Sequence, residues 1–335
     1  MTETLLPHWR AFHFHYHERQ DRLLKELLSP LVASLAKRGE IDSFFFVRYT
    51  LGGPHIRLRV HLCGNEQAVA AEVQDAAERF FAVFPSRATL SEDKILAINR
   101  EILKGDSMER DEAVYPDNLV RPAPFHPELA RYGGTELLPE SLAFFAVSSC
   151  RVMRWLHEKA DDPGSRLSFA FHLLALQALG SSRDGRELLG LLCYPVASWE
   201  TAPALLVERG DEVFERQKGR HVQALRHRIE AIVNGPLFGG GLLAERTLEG
   251  ILRDVGTRHG ILSSHLHMTA NRLGLKNGEE IYLSRLLWRT FSELASSEPA
   301  LWKRLEQSLA EQAGARSLKG LLPAALKELG IFAEN

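Results

Sequence analysis

Cysteine is scarce in this chain of 335 residues, which holds only Cys63, Cys150 and Cys193. They are odd in number and far apart, so they build neither a disulfide framework nor a Cys-x-x-Cys metal knuckle, and a reducing, cytoplasmic location is expected. A basic excess is missing too. The formal net charge of −2 and a pI near 6.7 argue against general nucleic-acid binding, while leaving room for a local basic site. No apolar run approaches the length that spans a bilayer, and the first residues show no charged-then-apolar signal pattern. Neither nucleic acid nor membrane is therefore an expected partner.

Several familiar chemistries are absent as well. Gly239-Gly240-Gly241 lacks the spacing and strand context of a dinucleotide fingerprint or P-loop. No Gly-x-Ser-x-Gly elbow and no His-Glu-x-x-His zinc signature occurs. Ser91-Glu92-Asp93-Lys94 fits a serine-x-x-lysine pattern, but it reads better as a helix N-cap followed by acidic first-turn residues.

What the chain does have is a hydrophobic content of 45%, enough to bury a sizeable core. Its most informative stretch is Phe44–Val60, FFFVRYTLGGPHIRLRV. The apolar run breaks at Leu51-Gly52-Gly53-Pro54 and resumes in strict alternation. His55, Arg57, Arg59 and His61 fall on one face, Ile56, Leu58, Val60 and Leu62 on the other, which predicts a β-hairpin. Same-face neighbours on a strand lie roughly 6.6 Å apart. Arg57 and Arg59 thus offer two adjacent guanidinium forks for a carboxylate or phosphate. Paired arginines on a strand are also ordinary surface residues. The balance shifts because Ala11–His17, AFHFHYH, alternates in the same way, with His13, His15 and His17 on one face. Three aligned imidazoles suit a metal. Without Asp, Glu or Cys at ligand spacing, a polar face lining a cleft is the better reading. In one sheet with the hairpin, that face becomes a basic pocket able to bind acid and move protons.

Strands are expected at 11–17, 43–50 and 55–62. Helices are expected at 21–37, with a break or kink at Pro30, and at 66–84. The proline-rich region 85–140 reads as irregular yet ordered. The later helices fall at 139–160, 166–180, 184–192, 197–232, 242–274, 278–297, 299–313 and 317–330. Strands first and helices later predict an α+β fold, an antiparallel sheet from the N-terminal part packed against a largely helical C-terminal part. The expectation is one domain over 1–335, strand-rich to 138 and helical from 139.

Two further clusters bear on chemistry. In Pro127-Glu128-Leu129-Ala130-Arg131-Tyr132-Gly133-Gly134, paired glycines mark a tight backbone position at a helix entrance, and Glu128 stands within helical reach of Arg131. An exposed ion pair there would be worth little. In Ser264–Arg272, SHLHMTANR, His267 and Asn271 share a helix face, with Ser264 one turn earlier. Histidine suits proton transfer near neutral pH, although a lone helical histidine is more often structural.

Taken together, FFVRYTLGGPHIRLR, ELARYGG, HMTANRLG and the opening WRAFHFHYH resemble the C-terminal domain of lantibiotic dehydratases. That domain is also known as a stand-alone chain, the thiopeptide-type bacteriocin biosynthesis protein. The resemblance spans nearly the whole chain and implies elimination of glutamate from glutamylated Ser or Thr of a precursor peptide, leaving dehydroalanine or dehydrobutyrine. It implies roles for Arg57, Arg59, Arg131 and His267 as the elimination residues. Glu128, Asn271, His55, His13 and His15 are in support. Where the family often has a second histidine after the methionine, this chain has Thr269. No redox cofactor and no metal is implied. The implied partners are the glutamylated precursor peptide and a separate glutamylation subunit, and a homodimer is among the assemblies allowed. Two alternatives stand beside this reading. One is the formal [4+2] aza-cycloaddition that builds the pyridine of thiopeptides on the same scaffold. The other is a non-catalytic peptide-binding subunit, against which the arginine and histidine set counts.

Overall fold

A computed structural model describes residues 6–88, 90–105, 113–159, 163–198, 204–234 and 255–311. The fold is α+β, and its residues group into two compact units. The first comprises Met1–Pro127, Ser148–Ala160 and Leu326–Asn335; the second comprises Glu128–Val147 and Asp161–Ala325.

The first unit is built on a four-stranded antiparallel sheet. Strands β1 (Trp9–His15), β2 (Ile41–Tyr49), β3 (His55–Leu62) and β4 (Leu119–Ala123) are ordered β2-β3-β1-β4. Alternation fixes the register, because a one-residue slip would turn every apolar side chain outward. Phe12, Phe14, Phe44, Phe46, Ile56, Leu58 and Val60 are all buried on one face. Each fully buried side chain of this kind stabilises the fold by about 1.5–3 kcal/mol. Helix α1 (Ser29–Lys37) packs against β2 and α2 (Glu66–Val83) against β4. The N-cap of α2 is Asn65, whose side chain accepts from the amide of Ala68 at 3.0 Å.

Differences from the expected elements have physical reasons. β1 and β2 each begin and end earlier than alternation suggests. Pro30 does not break its helix. It is the second residue of α1, and the turn before it, Leu23–Leu28, is widened into a π-helix. A proline at 30 cannot donate to the carbonyl of residue 26, and the wider turn accommodates that missing bond. The region 85–140 is more regular than expected. It contains helix α3 (Glu92–Gly105) and strand β4. Pro122 argues against a strand, yet at the sheet edge its missing N–H disrupts no ladder bond. Ser91 acts as the predicted cap, with its hydroxyl 3.4 Å from the Lys94 amide.

The hairpin between β2 and β3 turns at Thr50–Gly53, closed by a bond from the Gly53 amide to the Thr50 carbonyl, 3.0 Å. Gly53 has φ +105, and a Cβ there would stand 2.7 Å from Nε2 of His17.

The second unit is helical. It draws on α4 (Gly134–Lys159, shared with the first unit), α5 (Pro163–Ser181), α6 (Gly185–Ser198), α7 (Ala204–Asn234), α8 (Val255–Leu273), α9 (Asn277–Ser297) and α10 (Pro299–Glu311). Helix α9 is the hub, packing against α5, α6, α7 and α10, while α8 packs on α5 and α6. Ile281, Leu283, Leu286, Leu287, Phe291 and Leu294 line its buried side. Helix α7 is interrupted at Gln217, whose backbone leaves the helical region. The expected helical stretches 242–254 and 317–330, and the Gly239–Gly241 run, lie outside the described residues. No helix among the described residues is long and apolar enough to cross a membrane.

Candidate functional site

In the first unit the face of the sheet opposite the apolar core gathers the predicted basic residues. Across β1 and β3, His13 pairs with Arg57, His15 with His55 and Ala11 with Arg59, while β4 sets Arg121 against His13. Both β1 and β3 alternate, so these side chains emerge on one side. They are not solvated surface residues. His13, Arg57 and Arg59 are 7–8% exposed, and His15 and His55 are nearly inaccessible.

Aromatic rings make this burial tolerable. The Arg57 guanidinium lies 3.5 Å from the centre of the Tyr49 ring, Arg59 4.9 Å from Phe125, and Arg121 4.0 Å from Tyr115. A guanidinium is weakly hydrated and stacks well on such faces. The imidazoles stack as well, His13 on His55 at 4.9 Å and His15 near His55 and Tyr115 at 4.6 and 4.8 Å. His13 and His55 are stacked, while His15 is tilted against His55 and meets His13 edge-on.

Hydrogen bonding fixes the state of His55. Its Nδ1 donates to the Gly53 carbonyl at 2.8 Å, so its Nε2 is free to accept from Arg57 Nε at 3.1 Å. The ring is therefore neutral. Burial, then the neighbouring His15 and Arg57, hold it well below its ordinary pKa. His13 is pushed far down for the same reasons, burial first, followed by His55, Arg57, Arg59 and Arg121. The arginine charges acting on His13 are all positive, and neither of its ring nitrogens has a hydrogen-bond partner among the described residues. Such a face favours an anion.

The second unit holds the other predicted residues. Gly133 and Gly134, at φ +77 and +78, turn the chain into α4. A Cβ on Gly133 would stand 2.3 Å from Leu137. The turn, closed by the Gly134 amide on the Leu129 carbonyl at 2.7 Å, aims Arg131. Arg131 Nη1 donates to Glu128 at 3.0 Å and its Nε to Ser264 Oγ at 3.2 Å. Both members of the Glu128–Arg131 pair are largely exposed, so its value lies in orientation rather than stability.

On α8, His265 and His267 are about 200° apart around the helix. His265 faces the core, stacked on Phe144 at 4.4 Å and bonded through Nε2 to Ser141 Oγ at 2.9 Å. His267 is partly exposed, and its Nδ1 lies 2.8 Å from Oε2 of the buried Glu280. The short link from α8 to α9 makes this possible. Its Gly274 caps α8, and the Lys276 amide, donating to the Glu279 carboxylate at 2.8 Å, starts α9. With Nδ1 donating to the carboxylate, Glu280 fixes the orientation and tautomer of the ring. Asn271 is one turn further on the same side. Thr269 is fully buried and accepts from Gln177 at 3.1 Å.

Arg121, Tyr49, Tyr115, Phe125, Glu280 and the Ser264 contact escape the sequence reading. Arg121 sits on a five-residue strand containing proline. Glu280 lies 13 residues beyond His267 in another helix.

With this geometry in hand, likeness to known proteins can be judged. The sequence profile of the family described as lantibiotic biosynthesis dehydratase C-term matches residues 9–291. The chain belongs to the lantibiotic dehydratase C-terminal family. Solved structures share the family member's fold. The pyridine synthase TbtD from thiomuracin biosynthesis superposes with a TM-score of 0.69 at 17% identity, over 88% of this chain and 99% of that one. TsrL gives 0.58 at 14% identity, over 92% and 99%. The tRNA-dependent lantibiotic dehydratase MibB from Microbispora sp. 107891 gives 0.56 at 16% identity, over 87% of this chain but 28% of its own. No curated protein matches the sequence.

Proposed function

We propose that this member of the lantibiotic dehydratase C-terminal family is an enzyme that eliminates glutamate from glutamylated serine and threonine residues of a ribosomally made precursor peptide. The observation that carries the reading is the buried cationic face of the first unit. There Arg57 and Arg59 are held on aromatic rings beside histidines kept neutral.

In the reaction a base removes the Cα proton of the acylated residue. Its electron pair forms the Cα–Cβ double bond, the Cβ–O bond breaks, and glutamate leaves with a free carboxylate. Charge therefore develops on oxygen. Arg57 and Arg59 stabilise it from fixed positions, which requires little reorganisation in a site with little water. His267 is the proton acceptor through Nε2, since Glu280 binds the opposite nitrogen and offsets the positive charge the ring acquires. Arg131, oriented by Glu128 and Ser264, binds a carboxylate of the substrate. Acylation belongs to a separate glutamylation protein.

Arg59→Ala and His267→Ala test the assignment. Given a glutamylated precursor peptide, each variant should accumulate it, with elimination slowed by roughly 10²–10³, the usual cost of losing one charge-stabilising donor. Mass spectrometry reads the result as peptide retaining glutamate rather than lighter than the unmodified peptide by one water. Undiminished elimination by both variants removes these residues from the mechanism.

The likeness to TbtD over 99% of that chain favours one second reading, an aza-cycloaddition on a peptide already dehydrated. Wild-type protein that is inert on glutamylated peptide but cyclises a dehydrated one decides for it.

A further inference from the structure

At the end of β3 remote from Gly53, three side chains of different chemistry converge. His61 is the last polar-face residue of β3, and Cys63, two residues on, continues that face. Asp42 comes from β2, where the pairing slips between Ile41 and Ser43. A slip of this kind adds one residue to a strand and re-aims its side chain. The Asp42 carboxylate, His61 Nδ1 and Cys63 Sγ all lie within 4.8 Å of one another. His61 Nδ1 is 2.6 Å from Asp42 Oδ1. The backbone beneath is pinned, since the amides of Cys63 and Gly64 both donate to the Glu40 carbonyl at 2.8 and 3.0 Å. The His61 ring is braced by Trp9, with centroids 5.5 Å apart.

We propose that Asp42, His61 and Cys63 form a zinc-binding site at the open end of the β2–β3 hairpin, with a fourth position left to water. Thiolate and imidazole together select a borderline-soft cation over magnesium or calcium. Zinc takes sulfur at about 2.3 Å and nitrogen or oxygen at about 2.0 Å, which sets tetrahedral ligand atoms roughly 3.3–3.8 Å apart. To hold the ion, His61 Nδ1 and Asp42 Oδ1 part slightly from 2.6 Å, and the remaining ligand atoms, within 4.8 Å of one another, draw in around it. On binding, the ion takes the place of the hydrogen on His61 Nδ1, which the neutral ring then carries on Nε2, and the proton of the Cys63 thiol is released to solvent. Asp42 and Cys63 are exposed, so an ion reaches the site without opening the fold.

The full chain, freed of metal by chelation, is titrated with cobalt(II) as a spectroscopic probe and with zinc(II) by calorimetry. One cobalt per chain is expected, with a thiolate charge-transfer absorption that zinc abolishes by displacement. Cys63→Ser should remove that absorption, while Cys193→Ser, altering the exposed cysteine of α6, should leave it intact. His61→Gln and Asp42→Asn should each weaken binding by more than the roughly 10–100-fold that follows loss of a mere hydrogen-bond partner of a ligand. Zinc should also slow alkylation of Cys63 and not of Cys193. A charge-transfer band that survives in Cys63→Ser overturns the proposal. So does the lack of saturable one-to-one binding, or equal alkylation of Cys63 with and without zinc.

Discussion

His265 and His267 on α8 sit in opposite surroundings because the helix turns them to opposite sides. His267 is partly exposed and keeps a carboxylate partner in Glu280. His265 is enclosed by Phe144, Tyr132 and Phe145, and its pKa falls from 6.5 to about 3 through burial and, secondarily, Arg272. In the unfolded chain that imidazole takes up a proton near pH 6.5; in the folded protein it does not until about pH 3. The unfolded state thus binds more protons in that window. The contribution of His265 to stability is complete above pH 6.5 and is lost progressively as pH falls toward 3. Urea unfolding at pH 7.5 and pH 5 should differ by about 2 kcal/mol on account of His265 alone. The buried His13 and His55 add to the same trend. His265→Gln should shrink the difference by about that amount. An undiminished difference assigns the acid sensitivity elsewhere.

Among the elements, the β2–β3 hairpin places both strand arginines and His55, and its turn tolerates little change. Gly53 combines a positive φ with a close approach to His17, and its carbonyl accepts from the His55 ring. Gly53→Ala should therefore lower stability by about 1–3 kcal/mol, checked by denaturant midpoint. It should also slow elimination, because the turn sets His55 and through it Arg57. β1 and β3 are legible in the sequence because each alternates over seven or eight residues between a buried core and a polar face. β4 is not, since five residues with a proline carry too little pattern. Its presence on the edge is decided by pairing with β1, a contact across more than 100 residues. The start of helix α3 is legible in its Ser91 cap, while its extent is not, within a region dominated by prolines.

For the molecule as a whole, the α+β order of strands and helices follows from where alternation gives way to helical spacing. Partners that meet only through tertiary packing stay out of reach of any local pattern, as Glu280 beneath His267 and Phe125 beneath Arg59 do. The predicted site residues themselves are divided between the two units, with Arg57 and Arg59 in the first and Arg131 and His267 in the second. If all serve one transition state, their losses are not additive. The double variant Arg59→Ala/His267→Ala should then eliminate glutamate about as slowly as the worse single variant, measured as single-turnover rates. Multiplied losses would mean that the two residues contribute independently of one another.

The strand order has one more consequence, for motion rather than chemistry. β1 and β3 are inner strands, bonded on both sides, whereas β4 lies at the margin. Amide protons of inner strands escape to solvent only in large openings, while marginal strands fray at small free-energy cost. Deuterium uptake should be slowest across Trp9–His15 and His55–Leu62 and clearly faster across Leu119–Ala123. Arg57 and Arg59 then stand on the part of the sheet that yields last. Arg121 rides on the part that yields first.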